Sequence, residues 1–176
     1  MFGRSPTAGA QDSAPLVRTF TSKKLGFEVS YPTTWGVQQR EGDHLFIRRL
    51  FPPTGAASFS IGVAHYTGDK KEFTDALNSK ADTIFTNAVS LLRERFPDFR
   101  IVSHKPTVLG NFPAHLLEGA YSLNNPTSSI KVRNIVIFGL HDDYLYRINF
   151  EVTEENFATA KKDLDIILSS FNYQTR

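Results

Sequence analysis

Residues 130–152 read IKVRNIVIFGLHDDYLYRINFEV. Within this stretch Ile135-Val136-Ile137-Phe138 is apolar at every position, whereas Tyr144, Tyr146, Ile148, Phe150 and Val152 alternate with Arg147, Asn149 and Glu151. Successive side chains of a strand point to opposite faces. The first run therefore describes a strand with no wet side, and the second a strand with one. The short His141-Asp142-Asp143 turn between them makes the two strands antiparallel neighbours, because a parallel pair needs a crossover of about a dozen residues. A strand apolar on both sides needs cover on both sides, so helices are expected on opposite faces of the sheet.

The same reading extends in both directions. Strands are expected near residues 100–109, 113–123, 129–140 and 144–152, joined by turns at Gly110-Asn111, Asn124-Asn125-Pro126 and His141-Asp142-Asp143. Upstream, Phe27, Val29 and Tyr31 alternate with Glu28 and Ser30 in a strand that stops at Pro32. Leu45 to Phe51 forms a second strand ended by Pro52-Pro53, and Phe59, Ile61, Val63 and His65 alternate with small residues in a third. Phe73, Leu77, Lys80 or Ala81, Ile84, Phe85, Ala88, Leu91 and Leu92 recur at helical spacing. This long helix opens at Asp69 with Glu72 three positions on, as in a capping box, and stops before Pro97. Asn78-Ser79 is the place where it bends or splits. A last helix has Thr153 as N-cap, Glu154 and Glu155 in its first turn, and the stripe Phe157, Ala160, Leu164, Ile167, Leu168 and Phe171.

The predicted architecture is α+β: a three-layer α-β-α sandwich around a central, mainly antiparallel sheet. Its 176 residues fit one domain, residues 19–176, preceded by a flexible leader over residues 1–18 rich in Ser, Pro, Thr, Ala and Gly. The leader has no apolar core of a secretory signal, and a processed stub is one reading of it. Fifteen Phe against one Met and one Trp supply large rings for a core.

Composition also narrows the function. A net charge of +2, with basic doublets scattered rather than striped, argues against a nucleic-acid surface. Absence of cysteine excludes disulfides, thiolate metal sites and Cys nucleophiles. No run of about 18 apolar residues is present to span a bilayer. Asn125-Pro126-Thr127 has a Pro where a glycosylation triplet forbids it. Glycine-rich phosphate loops, zinc-binding His-Glu-x-x-His helices and Gly-x-Ser-x-Gly elbows do not occur. His44, His65, His104, His115 and His141 show no i, i+4 pairing. His141, Asp142 and Asp143 join an imidazole to two carboxylates and are the only weak metal candidates, although an acidic hairpin tip is ordinarily just a turn. His65 falls on the apolar face of its strand and is expected to be buried and hydrogen-bonded.

Partner-binding candidates are Lys23, Lys24, Trp35, Arg48 and Arg49. The two basic doublets would make a patch for an acidic surface, and Trp35 is either a docking anchor or a plug for the end of the sheet.

The order of elements, with Gly26-Phe27, Tyr31-Pro32-Thr33-Thr34-Trp35, Gly110-Asn111-Phe112-Pro113-Ala114, Asp143 to Tyr146, and Leu168-Ser169-Ser170-Phe171, resembles the PsbP superfamily, which takes in Ran-binding Mog proteins and bacterial DcrB-like proteins. The resemblance spans nearly all of residues 19–173. It departs at Phe157, where PsbP-type sequences often carry Trp. It implies a non-enzymatic accessory or docking protein without cofactor: an extrinsic subunit or assembly factor of a membrane protein complex, such as a photosynthetic complex in the thylakoid lumen or another extracytoplasmic compartment. Its partners would be protein subunits of that complex. The alternative is a small-ligand or metal-binding carrier that uses space between sheet and helix.

Overall fold

The computed structural model describes residues 16–37, 44–51, 55–78 and 83–175. Strands β1 (Val17–Ser22) and β2 (Phe27–Pro32) form a hairpin, followed by the short β3 (Gly36–Val37), β4 (His44–Leu50) and β5 (Ala56–His65). Helices α1 (Lys70–Asn78) and α2 (Thr83–Arg95) follow, then a meander of β6 (Arg100–Leu109), β7 (Phe112–Asn125), β8 (Ser128–His141) and β9 (Tyr144–Thr153). A 3-10 turn (Glu154–Asn156) leads into α3 (Phe157–Ser170), and the two-residue β10 (Asn172–Tyr173) closes the chain.

Seven strands lie in one antiparallel sheet in the order β3-β4-β5-β9-β8-β7-β6. The expected helical cover on opposite faces is present. Ile135 and Ile137 of β8 pack with Ala160, Leu164, Ile167 and Phe171 on the α3 side. Val136 and Phe138 pack with Leu77, Phe85 and Val89 on the α1/α2 side. Burial on both sides follows from alternation in a strand with no polar face.

Three details differ from the sequence reading, and the long helix bears on the split named at Asn78-Ser79. β2 leaves the large sheet and builds a second one, β1-β2-β10, beside α3. Its pairing with β10 joins Glu28 to Asn172, a contact that periodicity does not encode. β1 begins at Val17, so the last two residues of the expected leader are strand, while residues 1–15 lie outside the described chain. The long helical stretch is described as α1 and α2; Lys80, Ala81 and the Ile84 side chain fall outside the described residues. Leu91 of the expected stripe is exposed, and Val89 takes its place in the core.

Capping divides similarly. The Glu72 N–H donates to Asp69 Oδ1 at 2.9 Å, as the capping box requires. Thr153 makes no side-chain cap bond; its Oγ1 accepts from Asn156 Nδ2 at 2.8 Å, and the 3-10 turn intervenes before α3. At the β6–β7 corner Gly110 and Asn111 have φ of 52° and 70°. Two consecutive left-handed residues make the primed turn that matches strand twist.

Candidate partner-binding surface

β7 and β8 are each 14 residues long, and both outrun their neighbours. β6 pairs with β7 only as far as Ala120, and β9 pairs with β8 only from Val132 onward. Ser122 to Lys131 is therefore a two-stranded arm with no strand on either side, rising from the Tyr121–Val132 pair and projecting on the order of 14 Å from it at about 3.4 Å per residue. Pro126-Thr127 turn the chain at its tip, since Asn125 pairs with Ser128; Pro fixes φ for the first corner position of such a turn.

The base of the arm is held firmly. Tyr121 stacks on Phe96 at 3.9 Å between ring centroids, just beyond the end of α2. Phe99 lies over Gly119 so closely that a Cβ there would meet its ring at 2.4 Å. Burial first, and then the Glu151 carboxylate to which it hydrogen-bonds, push the Tyr121 phenol up from its ordinary pKa. On the outer side of β7 the Ser122 N–H donates to Asp98 Oδ1 at 3.2 Å, and Ser122 holds the Asp98 carboxyl below the usual range.

Beyond the base the arm is apolar on one face, and no other described residue covers it. Leu123 and Ile130 are direct cross-strand partners, exposed at 42% and 41%. They border a groove of about 590 Å³ whose other walls are Phe46 and Arg48 of β4, Ala56 and Ser58 of β5, and Glu151 of β9. The groove exists because α1 and α2 pack against β7 and β8 and leave β4, β5 and this end of β9 uncovered among the described residues. The sequence carries the reason: on this face β5 presents Ala56, Ser58, Ser60 and Gly62, which give a helix little apolar surface to bury.

The candidates from sequence are not gathered into one patch. Arg48 lines the groove. Arg49, its neighbour, points through the opposite face of β4, pairs with the Asp163 carboxylate of α3 and lies over the Phe51 ring at 4.5 Å. Trp35 is 1% exposed, donates from Nε1 to Asp163 Oδ2 at 2.9 Å and packs near Phe150. Trp35 and Arg49 therefore stitch the β3–β4 edge to α3, and Trp35, buried there, offers no exposed ring as a docking anchor. Lys23 and Lys24 are exposed on the β1–β2 turn, at the end of the domain where Gly26 O accepts from the Gln174 N–H and the Tyr146 hydroxyl. Arg48 sits in line with Glu151, at the far end of β9.

Of the metal candidates, His141 Nδ1 lies 3.5 Å from Asp142 Oδ2, and the third is engaged elsewhere. Asp143 pairs with Lys70, and the His141 ring stacks on Tyr173 at 4.2 Å with Phe112 against its edge. Among the described residues no three His, Cys, Asp or Glu side chains are grouped to hold a metal ion. His65 is exposed, edge-on to Tyr144, and not the buried residue expected: β5 outruns the core at that end. The arm was missed in the sequence because its residues read as ordinary continuations of two strands.

Fold and surface together define the class: a three-layer α-β-α domain that carries a ribbon arm beside an uncovered stretch of sheet. The chain belongs to the PsbP-like protein family, whose model matches residues 5–173. No curated protein matches it in sequence. Among solved structures it is similar to the cyanobacterial PsbP, CyanoP, of Synechocystis sp. PCC 6803, at a TM-score of 0.65 and 16% identity over 96% of this chain and 98% of that one. LpqN of Mycobacterium tuberculosis, involved in cell envelope biogenesis, aligns at 0.61 and 14% over 90% and 91%. The Ran-binding protein Mog1p of Saccharomyces cerevisiae aligns at 0.58 and 12% over 92% and 97%. At these identities the likeness is one of fold. No helix of the described residues is long and apolar enough to cross a membrane.

Proposed function

We propose that the chain is an accessory subunit or assembly factor that docks, from an extracytoplasmic side, on a membrane protein complex, and that the arm of β7 and β8 with its groove is the docking element. The observation that carries this reading is the Leu123–Ile130 pair, two large apolar side chains set opposite each other on a ribbon that nothing else among the described residues covers. Isolated two-stranded ribbons are marginal in water, and contiguous exposed apolar surface marks interaction sites. A photosynthetic complex of the thylakoid lumen is the specific setting proposed, supported by the near-complete mutual coverage with CyanoP.

The test is affinity capture from membranes of the native source with the intact chain and with Leu123→Asp/Ile130→Asp. A stoichiometric complex held by the first and lost at least about tenfold with the second is the expected result, tenfold being about 1.4 kcal/mol. Equal capture by both, or capture of nothing stoichiometric by the intact chain, contradicts the reading.

A second reading rests on a groove of about 490 Å³ between α2 and β6, lined by Phe85, Val89, His104 and Leu117. It is where a small-ligand carrier would hold an apolar cargo. Native mass spectrometry of the protein from its own source separates the two, because a carrier retains the cargo mass and a docking subunit shows the bare chain.

A further inference from the structure

The groove between α2 and β6 has two apolar walls and a cation at one end. On α2, Phe85, Val89 and Arg93 recur every fourth residue, so they share one face over about 12 Å at 1.5 Å per residue. Ile101 and His104 of β6 and Leu117 of β7 form the other wall. Phe85 and His104 both pack on the His115 ring, at 5.3 and 5.9 Å between centroids, and so mark the same end of the groove. Arg93, two turns further along α2, stands at the opposite end, where the chain re-enters the sheet at Arg100. β6 is the last strand of the sheet, and its register shifts between Ile101 and Ser103, an irregularity of the kind that bends a strand. The walls do not close, and Ile101 stays 40% exposed although it lines the groove.

Charge in the groove has one sign. No carboxylate lines it among the described residues. Arg93 is exposed and makes no ion pair or hydrogen bond with any of them. Glu94 is its neighbour in sequence, but residues one apart on a helix do not face each other. Asp98 accepts from Ser122 and lines a separate depression with Arg100 and Lys131. Arg95 lies over the Phe96 ring at 5.2 Å. An apolar slot with an unpaired guanidinium at its mouth suits a molecule that is apolar along its length and anionic at one end. A volume of about 490 Å³ holds a small molecule, and the spacing from Phe85 to Arg93 matches an extended decyl chain.

Resting on the second reading, in which this groove holds an apolar cargo, we propose that the cargo is a straight-chain carboxylic acid. Its chain lies along Phe85, Val89, Ile101 and Leu117, and its carboxylate pairs with the Arg93 guanidinium. Burial of the chain supplies affinity. The planar fork of N–H donors matches a carboxylate and sets which way round the molecule lies. None of these residues belongs to the arm or its groove.

The probes are decanoate, decylamine and decanol, each titrated as a monomer at low ionic strength into the isotope-labelled full chain and followed by amide NMR. Shifts at the Val89, Ile101, His104 and Leu117 amides are expected, with decanoate bound at least about fivefold more tightly than decylamine. Arg93→Glu reverses that preference. Arg93→Gln weakens decanoate by a similar factor and leaves the uncharged decanol unchanged, which a merely structural role for Arg93 would not do. Ser90→Trp places a large ring on an exposed position that lines the groove, and abolishes binding of all three. No binding, equal binding of decanoate and decylamine, a preference unmoved by Arg93→Glu, or binding that survives Ser90→Trp overturns the proposal. A native chain that holds a neutral cargo in this groove keeps the carrier reading and overturns the acid. A bare native chain that binds decanoate through Arg93 keeps the acid site and removes carriage.

Discussion

Two tyrosines near the C-terminal strand show how one hydroxyl differs from another. Tyr146 donates from its hydroxyl to Leu25 O at 2.9 Å and approaches Gly26 O at 3.2 Å, tying the β1–β2 turn to the large sheet. Tyr173 stacks on His141 and meets Phe112, Tyr146 and Phe171 edge-on, yet its hydroxyl is buried without a partner among the described residues. Burial pushes the Tyr173 phenol up, with Tyr146 adding to it. A buried hydroxyl with no acceptor contributes nothing that Phe lacks, whereas removing the Tyr146 hydroxyl takes away a buried bond to the Leu25 carbonyl. Tyr173→Phe is expected to leave stability within about 0.5 kcal/mol or to raise it, and Tyr146→Phe to lower it by about 1–2 kcal/mol, both read from urea midpoints. The aromatic content was plain in the sequence, and which ring is satisfied was not: the acceptors are backbone groups about 120 residues away in the chain.

Among the elements, β8 was the most legible and the β3–β4 edge the least. The run around Val136 has no polar face, and no packing other than burial on both sides satisfies it. The register of Asn172 against Glu28 and the Asp163 staple depend on residues 144 and 128 positions apart, for which no local pattern exists. Asp163 falls on the buried side of α3 among Ala160, Leu164 and Ile167, where a carboxylate is costly unless paired. Reading that conflict as a demand for a cation and a donor would have pointed toward Arg49 and Trp35. Replacing it by Ala leaves both donors without their shared acceptor, and the Arg49 flank open to water keeps the loss below that of a fully buried pair. Asp163→Ala is expected to cost about 2–3 kcal/mol in chemical unfolding, while Asp165→Ala, an exposed neighbour paired only with Lys161, changes stability by less than about 0.5 kcal/mol.

At the scale of the molecule, the domain is closed wherever β8 is covered and open where its covers end. α1 and α2 cover one face over β7 and β8, and α3 with the small sheet covers the other, so that among the described residues the small-residue stretch of β5 and one face of the arm are left open. The sequence from Tyr121 to Val132 reads YSLNNPTSSIKV, an alternating hairpin like any other in the meander. Nothing in it tells that β6 and β9 stop short; that follows only from comparing registers across four strands. The layering could be reasoned from composition and period, but the site arises from a mismatch of strand lengths.

The most direct test of this account is amide hydrogen exchange of the chain within the isolated native complex, compared with the chain alone. Protection is predicted to rise across residues 121–132, with α3 and the β1–β2 hairpin unchanged. New protection on α3 or at the Lys23-Lys24 turn, with the arm exchanging as it does in the isolated chain, would contradict it.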